Sequence, residues 1–251
     1  MKTTNLNIIP AVDKAAGMLE CLGGSISGMS QAELCRSLNI TQSTCYRIIQ
    51  TLLEHKWICR CGGNRYDIAP GLLPVTEKLT DATRRFRHLQ PQLEILSTRT
   101  GLSCKLSIRQ GQDQVTILRA ESPRPMAVSG RVGTHFPLIE GSVGAALLCG
   151  TERKDILSLA EACREDIAES SDPQIILKRI ENLQQDGFCL NSKRNRWNVN
   201  AMSTTLSDAS GHVSAALTLL GFADEFEPEK LAGLKNALQE TAAQCTRLLG
   251  E

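Results

Sequence analysis

The residues best suited by type and spacing to do chemistry fall in one short run, Ile40-Thr41-Gln42-Ser43-Thr44-Cys45-Tyr46-Arg47. A threonine that caps a helix, with hydroxyl and amide side chains in the first turn, offers backbone N–H groups and hydroxyls to phosphate. Gln and Arg carry the donors that read base edges. Gln42, Ser43, Thr44, Tyr46 and Arg47 are therefore candidate contacts to double-stranded DNA; the competing reading of the same residues is an ordinary solvated helix face. Arg65, on a hairpin further along, is a candidate contact to the phosphate backbone or minor groove. Arg84, Arg85 and Arg87 fit either phosphates flanking a site or plain solvent.

Other chemistries find little support. The ten cysteines (21, 35, 45, 59, 61, 104, 149, 163, 189 and 245) mostly interrupt apolar patterns and read as buried, reduced thiols acting as small hydrophobes. Cys59-Arg60-Cys61 is half a zinc site, and the four histidines (55, 88, 135, 212) are too scattered to complete it. No metal or cofactor is expected. The carboxylate pairs Asp166/Glu169 and Glu225/Glu227 have no His or Lys partner and read as solvated acids. There is no G-x-S-x-G, P-loop, H-E-x-x-H or G-x-G-x-x-G, so no enzyme is expected. Nine aromatic residues (5 Phe, 2 Trp, 2 Tyr) are too few for a base-stacking platform.

The elements that must hold these residues follow from periodicity and punctuation. Pro10 opens a helix to about Leu22, which Gly23-Gly24-Ser25 stops. Ser30, with Glu33 three residues on, makes a capping box for a second helix that Asn39 ends. Thr41 caps a third, to about His55, whose stripe is Cys45, Ile48, Ile49, Leu52 and Leu53. Strands at Trp57–Cys61 and Asn64–Ile68 flank Gly62-Gly63, a hairpin signal. Helix, helix, turn, helix and hairpin is the order of a winged helix-turn-helix.

From Pro70 to Thr100 the chain reads as helical, interrupted at Pro74 and Pro91. Hairpin strands follow at Ser103–Ile108 and Val115–Ala120, with another candidate strand at Met126–Arg131. Helices are expected at Ser142–Cys149, Lys154–Ala168 and Pro173–Asp186. Strands are expected at Gly187–Asn191, Val199–Ser207 and Val213–Gly221, and Pro228 opens a last helix to Leu249. Hairpins in place of βαβ units predict an antiparallel sheet with flanking helices.

Bulk properties agree with two modules. A chain of 251 residues with 41% hydrophobic content has room for one large or two modest domains and is too apolar to be disordered. Residues 1–90 hold 11 Lys/Arg and 7 Asp/Glu, against 17 and 20 in 91–251, so a polyanion would meet the front half. No apolar stretch approaches the ~20 residues of a membrane helix; the best, Val213 to Ala223, is broken by Ser214 and Thr218. No apolar run follows the first residues, so neither a signal peptide nor a membrane partner is expected, and the cytoplasm is the expected location.

Several segments, in order, resemble the IclR family of bacterial transcription regulators. They are "AVDKAAGMLECL", "SQAELCRSLNIT", "QSTCYRIIQTLLEHKWI" with its S-T-x-x-R-like helix, and the wing "NRYDIAPGLL". "GRVGTHFPLIEGSVGAALL" and "DGFCLNSKRNRWNVNAMSTTLSDASGHVSAALTLLG" resemble parts of the family's effector domain. The resemblance implies an α+β protein: a winged helix-turn-helix in 1–70, a linker helix in 71–90 and a GAF-like effector domain in 91–251. It further implies a homo-oligomer, dimer or tetramer, that binds operator DNA and responds to a small molecule, often an organic acid. Carried over by position, the effector-facing residues are Val132, Gly133, Val143, Gly144, Ala145, Asn191, Ala201 and Thr218, with the helix start at Ser142–Ala145 offering N–H groups to a carboxylate. Departures from the family pattern are Ala145 for a lysine, Asn198 for a glycine, and Ser192-Lys193-Arg194-Asn195-Arg196 in place of acidic residues. That basic run, especially Lys193, Arg194 and Arg196, is either a solvated loop or an attractor for a more anionic effector such as a sugar acid or phosphate. Two alternatives differ in class: a redox or metal sensor triggered through Cys59, Cys61 and other thiols, and an interaction module whose helix-turn-helix only dimerises.

Overall fold

The computed structural model describes residues 7–163, 167–191 and 198–250, with the backbone alone described at 78–82. Internal contacts divide the chain into two units, Met1–Ala82 and Thr83–Glu251. The division falls inside the stretch read as a linker.

The first unit contains α1 (Pro10–Gly23), β1 (Met29–Ser30), α2 (Gln31–Leu38), α3 (Gln42–Glu54), β2 (Ile58–Cys61) and β3 (Arg65–Ile68). Its three strands are antiparallel in the order β1-β3-β2. Met18, Leu22, Leu34, Cys45, Ile48, Ile49, Leu52 and Ile58 form its core. Both expected caps are present. The Glu33 N–H donates to Ser30 Oγ (3.3 Å) and the Ser30 N–H to Glu33 Oε2 (2.7 Å), closing the box. Asn39 turns the chain with φ 49°, a left-handed conformation asparagine tolerates. Ser30→Ala is expected to remove about 1 kcal/mol from this unit, measurable by urea denaturation.

Two details differ from the sequence reading. The wing's left-handed positions are Gly63 and Asn64 (φ 74° and 56°), because Cys61 pairs with Arg65 and leaves Gly62-Gly63-Asn64 as the loop. The two-residue strand β1, pairing Met29 with Tyr66, was not foreseen; it is too short to show a period.

α4 (Leu73–Arg87) carries the chain across the unit boundary. The second unit continues with α5 (Gln90–Thr100), β4 (Ser103–Gln110), β5 (Asp113–Ala120), β6 (His135–Pro137), α6 (Gly141–Leu147), α7 (Arg153–Ala162), α8 (Ala168–Ser171), α9 (Gln174–Asp186), β7 (Cys189–Asn191), β8 (Val199–Ser207), β9 (Val213–Phe222) and α10 (Pro228–Gly250). Pro74 and Pro91 sit in the first turns of α4 and α5, where a missing N–H has no intrahelical partner; they start helices instead of interrupting them.

The sheet runs β6-β5-β4-β9-β8-β7, antiparallel throughout. Cys104, Leu106, Met202, Leu217 and Leu219 face α5 and α10 and bury Leu93, Leu96, Leu234 and Leu238. The other face meets α6 and α9 through Cys189 and Ala216, with Val143, Ala145, Ala146, Ile176 and Ile180. Both faces are covered.

The Met126–Arg131 strand is not formed; the sheet's edge is His135–Pro137 instead, paired with Asp113–Val115. Pro123, Pro125, Gly130 and Gly133 punctuate that stretch, and Met126 is 81% exposed, so no core holds it extended. The helix expected over 154–168 ends at Ala162, before three residues outside the described set.

Candidate functional site

Thr41 places the leading edge of α3. Its Oγ1 accepts from the Thr44 N–H (3.3 Å) and lies 2.9 Å from Thr44 Oγ1 and 3.2 Å from Ser43 Oγ. The cap thus fixes the hydroxyls of the first turn relative to one another. Cys45, Ile48, Ile49 and Leu52 turn inward, which leaves Gln42, Ser43, Tyr46 and Arg47 exposed and Thr44 half-buried. Among the described residues, neither the Arg47 guanidinium nor the Tyr46 hydroxyl has a hydrogen bond or ion pair. The exposed part of this edge is clear of its own unit's interior, and the Arg47 and Tyr46 side-chain donors are uncommitted among the described residues, while the hydroxyls of Thr41, Ser43 and Thr44 are engaged with one another.

Arg65 is placed differently from the other candidates. Its Nε donates to Ser27 O (3.2 Å), and its Nη2 donates to Gly28 O (2.8 Å) and lies 3.1 Å from Glu33 Oε2. The side chain ties the wing to the capping box of α2. Gly28 makes this possible: its φ is 69°, and a methyl there would come within 2.4 Å of Tyr66 O. The wing cation that sequence reasoning passed over is Arg60, exposed on β2. Arg84, Arg85 and Arg87 are all exposed, with the Arg85 guanidinium 4.7 Å over the Phe86 ring.

In the second unit, strand register collects several candidates on one sheet face. Asn191 pairs with Ala201, Ser203 with Thr218, and Thr218 with Lys105, and directly opposed residues point the same way. α6 covers this face through Ser142, whose Oγ donates to Ala201 O (3.0 Å) and sits 2.9 Å from Ser203 Oγ. Ser203 Oγ is in turn 2.9 Å from Thr218 Oγ1. Each hydroxyl has one proton, so with Ser142 donating to a carbonyl the chain must run from Thr218 to Ser203 to Ser142.

The remaining candidates are not brought to this polar patch. Val143 and Ala145 contribute to the apolar cluster under α6. Gly144 permits close approach: a methyl there would fall 2.3 Å from Leu138 O. Val132 is 56% exposed in a loop, and the Gly133 N–H donates to Thr116 O (2.8 Å). The basic run Lys193, Arg194 and Arg196 lies outside the described residues.

Beside the patch is a buried ionic cluster. The Arg179 guanidinium pairs with Glu169 and donates to Asn191 Oδ1 (3.1 Å), while Glu169 Oε1 accepts from the Gly141 N–H (3.1 Å) at the start of α6. Burial raises the Glu169 carboxyl, but the hydrogen bond and charge of Arg179 outweigh it and hold the group below the ordinary carboxylate range. This corrects the reading of Glu169 as solvated: it is 4% exposed. Its supposed companion Asp166 lies outside the described residues. Glu225 and Glu227 are likewise not isolated, pairing with Arg124 and Lys230.

Two side chains on the polar face escaped the sequence analysis. Lys105 is 6% exposed, and burial pushes its ammonium down to about 8, against the opposing charge of Glu140. Ser107 is 1% exposed, and its hydroxyl has no hydrogen-bond partner among the described residues. The available signal was the alternation Ser103-Cys104-Lys105-Leu106-Ser107-Ile108, but a period of two alone assigns the polar members to solvent.

All ten cysteines are free thiols. Burial pushes Cys45 and Cys104 up to about 12 and Cys189 and Cys245 up to about 11, so these four stay protonated and unreactive at neutral pH. Cys59 is exposed, and five others are half-buried, a wetter distribution than the apolar pattern predicts. Among the described residues no three metal-ligating side chains gather.

Comparison with known proteins bears on both units. Residues 11–60 match the model of the IclR helix-turn-helix domain, and residues 78–247 match that of the bacterial transcriptional regulator IclR C-terminal domain. The chain is 21% identical over 247 residues to the transcriptional regulator XynR of Escherichia coli, covering 97% of this chain and 98% of that one. It is 20% identical over 244 residues to the transcriptional repressor AllR of Salmonella typhimurium, covering 96% and 90%. The crystal structure of Thermotoga maritima IclR shares the fold with a TM-score of 0.73 at 20% identity, covering 96% of this chain and 99% of that one.

Proposed function

The chain belongs to the IclR family of bacterial transcriptional regulators, and from that premise we propose how it regulates. It is a DNA-binding regulator and not an enzyme; its operator mode, effector and assembly are the substance of the proposal. Two copies in a dimer or tetramer each insert the leading edge of α3 into the major groove. Gln42, Ser43, Tyr46 and Arg47 reach the duplex directly. Thr44 and Arg65, whose hydrogen bonds lie within the subunit, set the angle of helix and wing, and Arg60 meets the phosphate backbone. The observation that carries this reading is the exposed Arg47, unpaired among the described residues, on a helix whose opposite side buries Cys45, Ile48, Ile49 and Leu52.

The effector is a small organic acid bound at the polar face of the sheet, where Asn191, Ala201 and Thr218 meet α6. It favours one arrangement of the oligomer over another and so shifts the separation of the two recognition helices. The protein works in the cytoplasm, where operator and metabolite are both present. Among the described residues no helix is long and apolar enough to cross a membrane.

Selection of duplexes from a random pool tests the reading. The expected result is enrichment of inverted repeats whose half-sites lie ~34–36 Å apart or a multiple of that distance. Retention without sequence enrichment, or no retention at all, overturns it.

A further inference from the structure

Lys105 and Ser107 stand two residues apart on β4, on the face covered by α6, and both are buried; the charge of Glu140 acts on Lys105 from beyond ion-pair distance, and among the described residues neither side chain makes a hydrogen bond. Among the described residues, Lys105 Nζ has no hydrogen bond and no carboxylate oxygen within 4.0 Å. Its polar surroundings are otherwise satisfied. Opposite it on β9, Thr218 belongs to the hydroxyl chain; opposite it on β5, Arg119 has the Glu121 carboxylate at 2.9 Å. Lys105 Nζ lies 5.4 Å from the centre of the Phe136 ring, a contact that stabilises a cation without neutralising it. A methyl on Gly130 would come within 3.2 Å of Lys105 Cδ, so the missing side chain there leaves the lysine stem its course. Ser107 is flanked by Ala216 on β9, which offers no side-chain acceptor, and by Thr116 on β5, whose hydroxyl makes no hydrogen bond to it.

A chain that buries a charge and a hydroxyl unpaired is less stable than one with apolar residues of the same shape, and such costs persist where a ligand needs the groups. We infer that Lys105 is the specificity-determining cation of the effector site, pairing with the carboxylate of a small organic anion, and that Ser107 donates a second hydrogen bond to the same ligand. The inference rests on the organic-acid reading above and deepens it. The residues carried over by resemblance supply backbone, amide and hydroxyl groups; Lys105 supplies the positive charge that separates an acid from its neutral analogue.

Full-length protein is titrated by calorimetry with glycolate, lactate and gluconate and with the neutral glycolamide and lactamide. The wild type is expected to bind at least one acid and to reject the amides. In Lys105→Met that acid weakens about 10–100-fold, the loss of one charge-assisted hydrogen bond, while the ligand-free variant melts at a higher temperature. Ser107→Ala weakens binding several-fold. If Lys105→Met binds the acid within twofold of wild type, the inference is wrong and the organic-acid reading stands. If acids and amides bind wild type equally, charge is not read and the inference is overturned. If the wild type binds none of the acids, both fall. Should Lys105→Met not fold, NMR of protein made with 13C-labelled lysine decides: the acid is expected to move the Lys105 resonance in wild-type protein, and an unmoved resonance overturns the assignment.

Discussion

Arg179→Ala is expected to destabilise the second unit by about 3–5 kcal/mol, because it strands a buried carboxylate. Glu169 is 4% exposed, and the guanidinium is its cationic partner. The loss reaches three elements at once: α8 holds Glu169, α9 holds Arg179, and the Gly141 N–H that Glu169 accepts opens α6. Asn191 on β7 loses its donor too. The effect carries a pH signature. The folded-state carboxyl lies below its ordinary value of 4.5, so the unfolded chain takes up the proton first as pH falls. The stabilisation is therefore fully present above about 4.5 and disappears as pH drops through the folded value. Guanidinium denaturation of wild type and Arg179→Ala across pH 3–8 should show a gap that is constant near neutrality and closes in acid. A Glu169→Gln/Arg179→Met double variant should recover most of the stability, since no charge is left unpaired. A single variant as stable as wild type would mean that the cluster is hydrated and structurally idle.

Arg47→Ala should weaken operator binding by roughly 10–100-fold per half-site while leaving both units folded, because the side chain has no hydrogen-bond or ion-pair partner among the described residues of its unit. Fluorescence anisotropy over a salt series separates two roles. If Arg47 contacts phosphate, affinity falls for every sequence and the salt slope drops by about one; if it reads a base, specificity relaxes and the slope is kept. Unchanged affinity at matched ionic strength would remove Arg47 from the interface and shift attention to Arg60 on the wing.

The two units differ in how far they were legible. In the first, nearly every signal is local. The Ser30/Glu33 box, the Thr41 cap and the inward stripe of α3 depend on residues three or four apart, and the structure reproduces them with shifts of one or two residues. In the second, the elements along β4, β5, β8 and β9 were legible as hairpin strands, but their surroundings were not. Met126–Arg131 looked extended and is loop; His135–Pro137 looked like nothing and is the sheet's edge. Pairing with β5 decided that, and pairing partners lie too far along the chain for a local pattern to find.

Residue types and spacing by themselves determined the helix-turn-helix, its exposed recognition edge and the antiparallel character of the sheet, since caps, turns and periodicity act over a few residues. Only the tertiary structure decided which polar residues are wet. Glu169 and Lys105 carry charges that a sequence assigns to solvent, and both are buried: Glu169 against Arg179 of α9 and the start of α6, Lys105 against the Phe136 ring and Gly130. Burial is a property of what comes to lie on top of a residue, and the cost of an unpaired charge appears only once water has been removed from it.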